Sequence, residues 1–200
     1  MLAYVFWHRP ASGVPVEDYE QALRRFHGSL AHTPPSGLIG STALRAAELP
    51  WLPSGDGDTA GGYEDWYLLE SWNALGVLEV AAVSRGHETA HHEAARRAGP
   101  GTGAIYKQIE GHASPADARL AVWVGRPGGQ SDPTMADLLD DGLGPDAGSL
   151  WQRSLVLGPA PEFCLLYTSP RLPAETGVAA SRLPVGWTLT AAARERVPDA

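Results

Sequence analysis

Residues 4–10, YVFWHRP, and residues 121–127, AVWVGRP, are two versions of one pattern. Each is a short β-type run that ends in Arg-Pro and precedes a turn and a helix signal. A pattern that returns within one chain indicates an internal repeat, and a repeat decides the architecture. The two copies differ in their chemistry, because Gly125 stands where the first copy has His8.

The first copy predicts the element order β-α-β-β-α-β. After the first strand, apolar residues at spacings of three and four define one helix face, formed by Val16, Tyr19, Leu23, Phe26 and Leu30. Ser71 is the predicted N-cap of the second helical region, and a further helical piece covers 87–98. The four strands are predicted over 2–9, 37–49, 63–70 and 104–110.

The same order returns after a linker over 111–118. A short helix is expected from Asp132-Pro133, where proline suits the first helical position, and another over 173–183. Both helices are shorter than their counterparts in the first copy. The four strands of the second copy are predicted over 119–124, 150–157, 163–168 and 187–193.

We therefore predict an α+β protein of two tandem ferredoxin-like β-α-β-β-α-β units, over 1–112 and 119–197. Such a unit carries its helices on one face of a four-stranded sheet and leaves the other face bare. Because a bare apolar sheet must be covered, the two units are expected to press these faces together and close a pseudo-dimeric α/β barrel. All seven histidines precede residue 119, so the first unit is expected to carry any site.

This layout resembles the dimeric α/β-barrel superfamily in its tandem form. The resemblance rests on the element order, the repeat and the histidines of the second helical region. The group includes antibiotic-biosynthesis monooxygenases, muconolactone isomerases and chlorite-dismutase-like haem proteins. It implies a ligand between sheet and helices or inside the barrel, and a helix histidine that holds the ligand, shuttles a proton or binds haem iron.

The predicted function is binding of a small hydrophobic or aromatic ligand by a cofactor-independent monooxygenase or isomerase. The alternative is a non-catalytic, stress-related or ligand-sequestering protein with the same fold. Imidazole suits proton transfer near neutral pH, so His8 and His91 are the candidate proton-transfer residues. Strand alternation places several rings where they would shape the pocket, namely Tyr4, Phe6, Trp66 and Tyr106. The same rings would also suit a filled barrel core.

The sharpest local motif is His87-Glu88-x-x-His91. On a helix both histidines lie on one face and could bind zinc, with Glu88 as the general base. Zinc peptidases usually have uncharged residues around this motif, whereas Arg85 and Glu93 flank it here. A zinc hydrolase is therefore a second alternative, beside a polar helix whose histidines have no special role.

Composition limits the partners. A net charge of −8 disfavours nucleic acid, and no apolar run reaches the roughly 18 residues that a membrane helix needs. The single cysteine, Cys164, excludes an internal disulfide and favours a reducing, cytoplasmic compartment. Met1 leads directly into a strand pattern, so no signal peptide is expected. We predict no cofactor, with haem or zinc as the remaining options, and either a pseudo-dimeric monomer or a homodimer.

Overall fold

The computed structural model describes residues 1–52, 61–84, 86–125, 139, 148–156, 158–172 and 183–197. Within them the chain forms eight strands and three helices. The strands are β1 Leu2–His8, β2 Leu38–Ala46, β3 Gly62–Leu69, β4 Thr102–Gly111, β5 Leu120–Gly125, β6 Ser149–Val156, β7 Phe163–Tyr167 and β8 Thr188–Arg196. The helices are α1 Val16–His32, α2 Trp72–Ala82 and α3 Glu88–Arg97. No described helix is long and apolar enough to cross a membrane.

The eight strands close into one antiparallel barrel. Their order around it is β1-β3-β2-β8-β5-β7-β6-β4. The first four strands therefore stand as β4-β1-β3-β2, and the last four repeat this order as β8-β5-β7-β6. The mixed α+β class and the closed barrel agree with the expectation, whereas the division into units over 1–112 and 119–197 stays a prediction.

The barrel interior is a core built mainly of indole rings and small side chains. Trp7, Trp66, Trp123 and Trp151 are fully or almost fully buried there, and alanines on β1, β4 and β5 leave room for them. Edge-to-face contacts order the rings, as between Trp7 and Trp123, whose centroids are 5.2 Å apart. This packing fills the inside of the barrel and leaves its outer face for the helices.

The three helices cover the outer face of the first four strands. The predicted apolar face of α1 is buried against the sheet through Tyr19, Leu23, Phe26 and Leu30, although Val16 is exposed. Ser71 caps α2 as predicted, since its hydroxyl accepts from the backbone N–H of Ala74. The two helices predicted from Asp132 and over 173–183 fall almost wholly outside the described residues.

Candidate functional site

A cavity of about 650 Å³ lies between the outer face of the sheet and the three helices. Its floor consists of side chains from β1, β3 and β4, and its walls come from α1, α2 and α3. Most of the lining is apolar, as in pockets that take small hydrophobic ligands. The polar groups of the lining belong to Tyr4, His8, Tyr19, Asp65, Tyr67, Glu79 and His91.

Strand pairing brings the floor residues together. Tyr4, Phe6 and His8 alternate along β1 toward the helices, and Tyr67 and Asp65 of β3 are the cross-strand partners of Tyr4 and Phe6. Directly opposed residues in an antiparallel pair lie on the same face, so all five side chains meet below the helices.

Two glycines at the N-terminal end of β4, Gly101 just before the strand and Gly103 within it, make room for two of the floor rings. A Cβ at Gly101 would lie 2.5 Å from the ring of Phe6, and one at Gly103 would lie 2.8 Å from the ring of Tyr4. Any larger residue would therefore push these rings from their positions. The two glycines set the shape of the cavity floor.

Tyr19, His8 and Asp65 form a continuous polar line at the floor of the cavity. The Tyr19 hydroxyl is hydrogen-bonded to Nδ1 of His8, and Nε2 of His8 lies 3.2 Å from Oδ2 of Asp65. A carboxylate beside Nε2 favours the proton on that nitrogen and leaves Nδ1 as the acceptor for the Tyr19 hydroxyl. His8 is almost completely buried, with 1% of its surface exposed.

The Asp65 carboxylate is surrounded by the other polar side chains of the cavity floor. Its Oδ2 accepts a hydrogen bond from the Tyr67 hydroxyl at 3.2 Å, and its Oδ1 lies 3.4 Å from Nε2 of His27. Burial alone would raise the pKa of Asp65, but the two facing imidazoles outweigh it and hold the pKa well below its usual range. Asp65 is therefore an ionised carboxylate at neutral pH.

The tyrosines around Asp65 are hydroxyl donors. Burial, followed by the charge of Asp65, raises the pKa of Tyr4 to about 12. The same two causes raise the pKa values of Tyr19 and Tyr67 well above their ordinary value. At neutral pH these side chains keep their protons, so they serve as hydroxyl donors in the cavity.

His91 lines the cavity from α3. Its ring packs edge-on against Phe26, with centroids 5.3 Å apart, and its buried Nδ1 has no hydrogen-bond partner among the described residues. Burial, and then the charge of His92, lowers the pKa of the His91 imidazole below its ordinary value. His91 therefore presents a neutral imidazole to the cavity.

The sequence matches no protein-family model and no curated protein. Several solved structures share the fold. A proposed monooxygenase from Fusobacterium nucleatum subsp. nucleatum superposes with a TM-score of 0.64 and 11% identity, covering 98% of this chain and 92% of the other. A proposed monooxygenase from Lactobacillus acidophilus has a TM-score of 0.50 and 9% identity, with coverage of 96% and 93%. A proposed chlorite dismutase has a TM-score of 0.50 and 12% identity, with coverage of 98% and 96%.

The chain shares its barrel fold with these three structures. At these identities the likeness concerns the fold alone. The cavity occupies one of the two positions that the resemblance implied for a ligand, between sheet and helices.

The described lining does not fit haem, which some members of the dimeric α/β-barrel superfamily bind. Haem carries two propionates that need cationic partners, but no lysine or arginine is among the cavity-lining residues. The lining instead contributes two carboxylates, from Asp65 and Glu79. Nδ1 of His8 is hydrogen-bonded to Tyr19 and the Asp65 carboxylate lies 3.2 Å from Nε2, so an iron atom would have to displace one of these side chains to reach His8.

The His87-Glu88-x-x-His91 motif does not assemble a metal centre within the described part of the chain. His87 is buried at the start of α3, with Nδ1 3.0 Å from the Ser29 hydroxyl, whereas His91 lines the cavity. Among the described residues no three His, Cys, Asp or Glu side chains lie close enough to share a metal ion. The zinc alternative thus has no third ligand there.

The structure corrects the placement of two predicted pocket residues. Trp66 and Tyr106 lie inside the barrel, on the opposite face of the sheet from the cavity. Trp66 pairs with Val5 and Tyr106 with Ala3, and these β1 residues point inward. Alternation along β1 was sufficient to assign the side chains of β1 to the two faces of the sheet. For a neighbouring strand, the face that a residue occupies also depends on the register of the pairing.

Sequence reasoning missed Tyr19, Asp65, Tyr67 and His27 as members of the site. Tyr19 and His27 were visible only as parts of an amphipathic helix. A signal did exist for Asp65, because a carboxylate within the strand segment GYEDWYLL has to be paired when it is buried.

Proposed function

We propose that the chain binds a small hydrophobic or aromatic ligand in this cavity and removes a proton from it, as a cofactor-independent monooxygenase or isomerase would. The observation that carries the proposal is the Tyr19–His8–Asp65 line at the floor of a largely apolar cavity. The fold supports the proposal only in that the superfamily which the sequence resembles includes proteins with such sites.

The floor of the cavity suits a flat ligand. Tyr4 and Tyr67 are stacked with ring centroids 5.7 Å apart, and Phe6 stacks on His8 at 5.1 Å. An aromatic ligand extends such a stack, and each aromatic pair contributes about 1 kcal/mol beyond its buried area. Leu78 and Ala94 supply apolar wall above the rings.

Proton transfer would use His8 as the base. The ligand gives its proton to the Tyr19 hydroxyl while Tyr19 passes its own proton to Nδ1 of His8. Asp65, beside Nε2, stabilises the imidazolium that forms, as the carboxylate does in a Ser-His-Asp triad. The ligand anion then either takes a proton back at another atom, which is an isomerisation, or reduces dioxygen. In the second case a CH2 carbon of the ligand becomes a carbonyl with one oxygen atom of O2, and the two hydrogens of that carbon leave with the other oxygen atom as water, so no external reductant is needed.

A neutral fluorescent probe, N-phenyl-1-naphthylamine, tests the binding part of the proposal. Ala94→Trp, which fills the cavity from α3, should weaken probe binding at least tenfold. Ala47→Trp, at an exposed site outside the cavity, is the matched control and should bind like the unmodified protein. Equal affinities for the two variants would overturn the assignment of the cavity as the ligand site.

The chemical part is tested with a panel of hydroxylated aromatic compounds that bind in competition with the probe. Turnover is followed by oxygen consumption and by the absorbance spectrum of each compound. His8→Gln should abolish turnover and keep probe binding. Compounds that bind tightly and are never converted would contradict catalysis and favour the ligand-sequestering alternative.

We also propose that the barrel is pseudo-dimeric, with units over 1–112 and 119–197 acting as the two subunits of a dimer. The shared strand order of the two halves supports this, and a closed barrel within one chain needs no second copy. Sedimentation at several concentrations distinguishes this monomer from a homodimer. A reducing, cytoplasmic location is proposed from the single cysteine, Cys164, which is buried.

A further inference from the structure

A second, smaller cavity of about 110 Å³ lies on the other side of Asp65 from the ligand cavity. It lies between α1, β2 and the end of β8, where the two halves of the barrel meet through the β2–β8 pairing. Its lining includes polar side chains, namely Arg24, His27, Ser41, Thr42 and Arg196. None of these residues lines the ligand cavity.

His27 connects the second cavity to Asp65. Nε2 of His27 lies 3.4 Å from Oδ1 of Asp65, and Nδ1 is hydrogen-bonded to the Ser41 hydroxyl at 2.9 Å. Asp65 therefore stands between two imidazoles, His8 on the side of the ligand and His27 on the side of the second cavity. All three side chains are at least nine-tenths buried.

We propose that His8, Asp65 and His27 hold one proton between the two imidazoles. When a proton is transferred from the ligand to His8, His27 releases its proton into the second cavity. The direction of this transfer rests on the proposed function. The sharing of one proton does not, since it is argued from the position of one carboxylate within 3.4 Å of both imidazoles.

Charge balance is the reason for a single shared proton. One carboxylate neutralises one imidazolium, so a second imidazolium would leave a net positive charge in a buried site. The pKa of Asp65, which lies well below its usual range, keeps the carboxylate ionised while this exchange occurs. Protonation of one imidazole should therefore oppose protonation of the other.

The proton released from His27 has a defined route. In the imidazolium form Nε2–H faces Asp65 and Nδ1–H donates to the Ser41 hydroxyl. Loss of the Nδ1 proton to solvent in the second cavity leaves Ser41 as the donor and Nδ1 as the acceptor. The proton gained by His8 and the proton lost by His27 then leave the charge of the buried cluster unchanged.

Other charged and titratable groups around the cluster favour this direction. Two guanidiniums, Arg24 of α1 and Arg196 of β8, line the second cavity and oppose a lasting positive charge on His27, although the Glu20 carboxylate of α1, 3.8 Å from Arg24, offsets part of that effect. The remaining titratable groups that face the cluster or share its cavity are Tyr4 of β1, Tyr19 of α1, Tyr63 and Tyr67 of β3, Glu79 of α2 and His91 of α3. The tyrosines stay protonated, because burial raises their pKa values.

Histidine ring resonances measured by NMR across the titration range test the coupling without any ligand. We compare the unmodified chain with His27→Asn, in which His8 is observed, and with His8→Asn, in which His27 is observed. At least one of these midpoints should rise by about one pH unit when the partner imidazole is removed, since the competing positive charge is lost. His32→Asn, at the exposed end of α1, is the matched control and should move neither midpoint.

Asp65→Asn provides the second measurement and should lower both midpoints, because it removes the charge that favours both imidazolium forms. His27→Gln replaces His27→Asn if the shorter amide disturbs the fold, which near-ultraviolet circular dichroism detects. Midpoints of His8 and His27 that stay unchanged in the reciprocal variants overturn the shared proton. Coupled midpoints together with an absence of probe binding would overturn the proposed function alone, so the two failures are distinguishable.

Discussion

Arg194 and Glu64 form an ion pair inside the barrel, with Nε 2.9 Å from Oε2 and no exposed surface on either side chain. The indole N–H groups of Trp66 and Trp123 donate to the same carboxylate, each at 3.1 Å. Glu64 lies on β3 and Arg194 on β8, so the pair links the first four strands to the last four. A charge at this depth requires its partner, because the core cluster around it is mostly apolar.

Glu64→Gln should therefore destabilise the protein strongly. It leaves the Arg194 guanidinium buried without a counter-charge, which typically costs about 3–5 kcal/mol of the free energy of unfolding. Urea unfolding at neutral pH measures the loss. Glu195→Gln, next to Arg194 in sequence, is the control: Glu195 is 65% exposed and pairs with Arg45 at the surface. It should cost less than about 1 kcal/mol, and similar losses for the two variants would contradict the role given to the pair.

Trp66 and Tyr67 are neighbours in sequence that face opposite sides of β3. Trp66→Leu should lower the free energy of unfolding by about 3 kcal/mol through the space it leaves in the barrel, while the folded protein keeps its affinity for N-phenyl-1-naphthylamine. Tyr67→Leu should weaken the probe about fivefold, since it removes a ring from the floor of the cavity. Fluorescence titration and urea unfolding of both variants measure the two effects. A loss of probe affinity in the Trp66 variant would place the ligand inside the barrel.

These two residues also show what the sequence could and could not reveal. Apolar spacing located α1, and alternation along β1 correctly grouped Tyr4, Phe6 and His8. Alternation along one strand does not give its register against the next strand, and this register pairs the inward-facing Val5 and Ala3 with Trp66 and Tyr106. A shift of one residue exchanges the faces of a strand, which is why the aromatic partners on β3 and β4 were misplaced.

The polar part of the candidate site was harder to foresee for a similar reason. His8 drew attention as an imidazole within an aromatic strand, but its partners Tyr19 and Asp65 lie on two other elements and meet it only after the sheet and α1 have packed. Conversely, the histidine motif was conspicuous in sequence although its two imidazoles have different surroundings. His87 contacts Ser29 and His91 faces the cavity, because the helix begins between them at Glu88.

Gly103→Ala should change the cavity and spare the fold. The new methyl group would lie 2.8 Å from the ring of Tyr4, so the ring must move away from its stack on Tyr67. We expect the affinity for the probe to fall several-fold, with a change in unfolding free energy of about 1 kcal/mol. Gly40→Ala is the matched control, because Gly40 is also a strand glycine and a Cβ there has no atom within 4 Å. An unchanged affinity in the Gly103 variant would show that Tyr4 does not shape the ligand site.

The acid sensitivity of the protein should depend on Asp65. Its pKa in the folded chain lies well below its usual range, whereas in the unfolded chain it returns to about 3.9. A lowered folded pKa stabilises the native state fully above the unfolded pKa, and this contribution is lost as the pH falls from there toward the folded pKa. Asp65→Asn should thus be less stable than the unmodified chain at neutral pH, and the difference should shrink as the pH drops below about 4.

Urea unfolding at a series of acidic pH values measures the difference in stability. Asp117→Asn, which removes an exposed carboxylate, is the control and should leave the pH dependence unchanged. A difference between the Asp65 variant and the unmodified chain that stays constant with pH would mean that the two imidazoles do not stabilise the carboxylate.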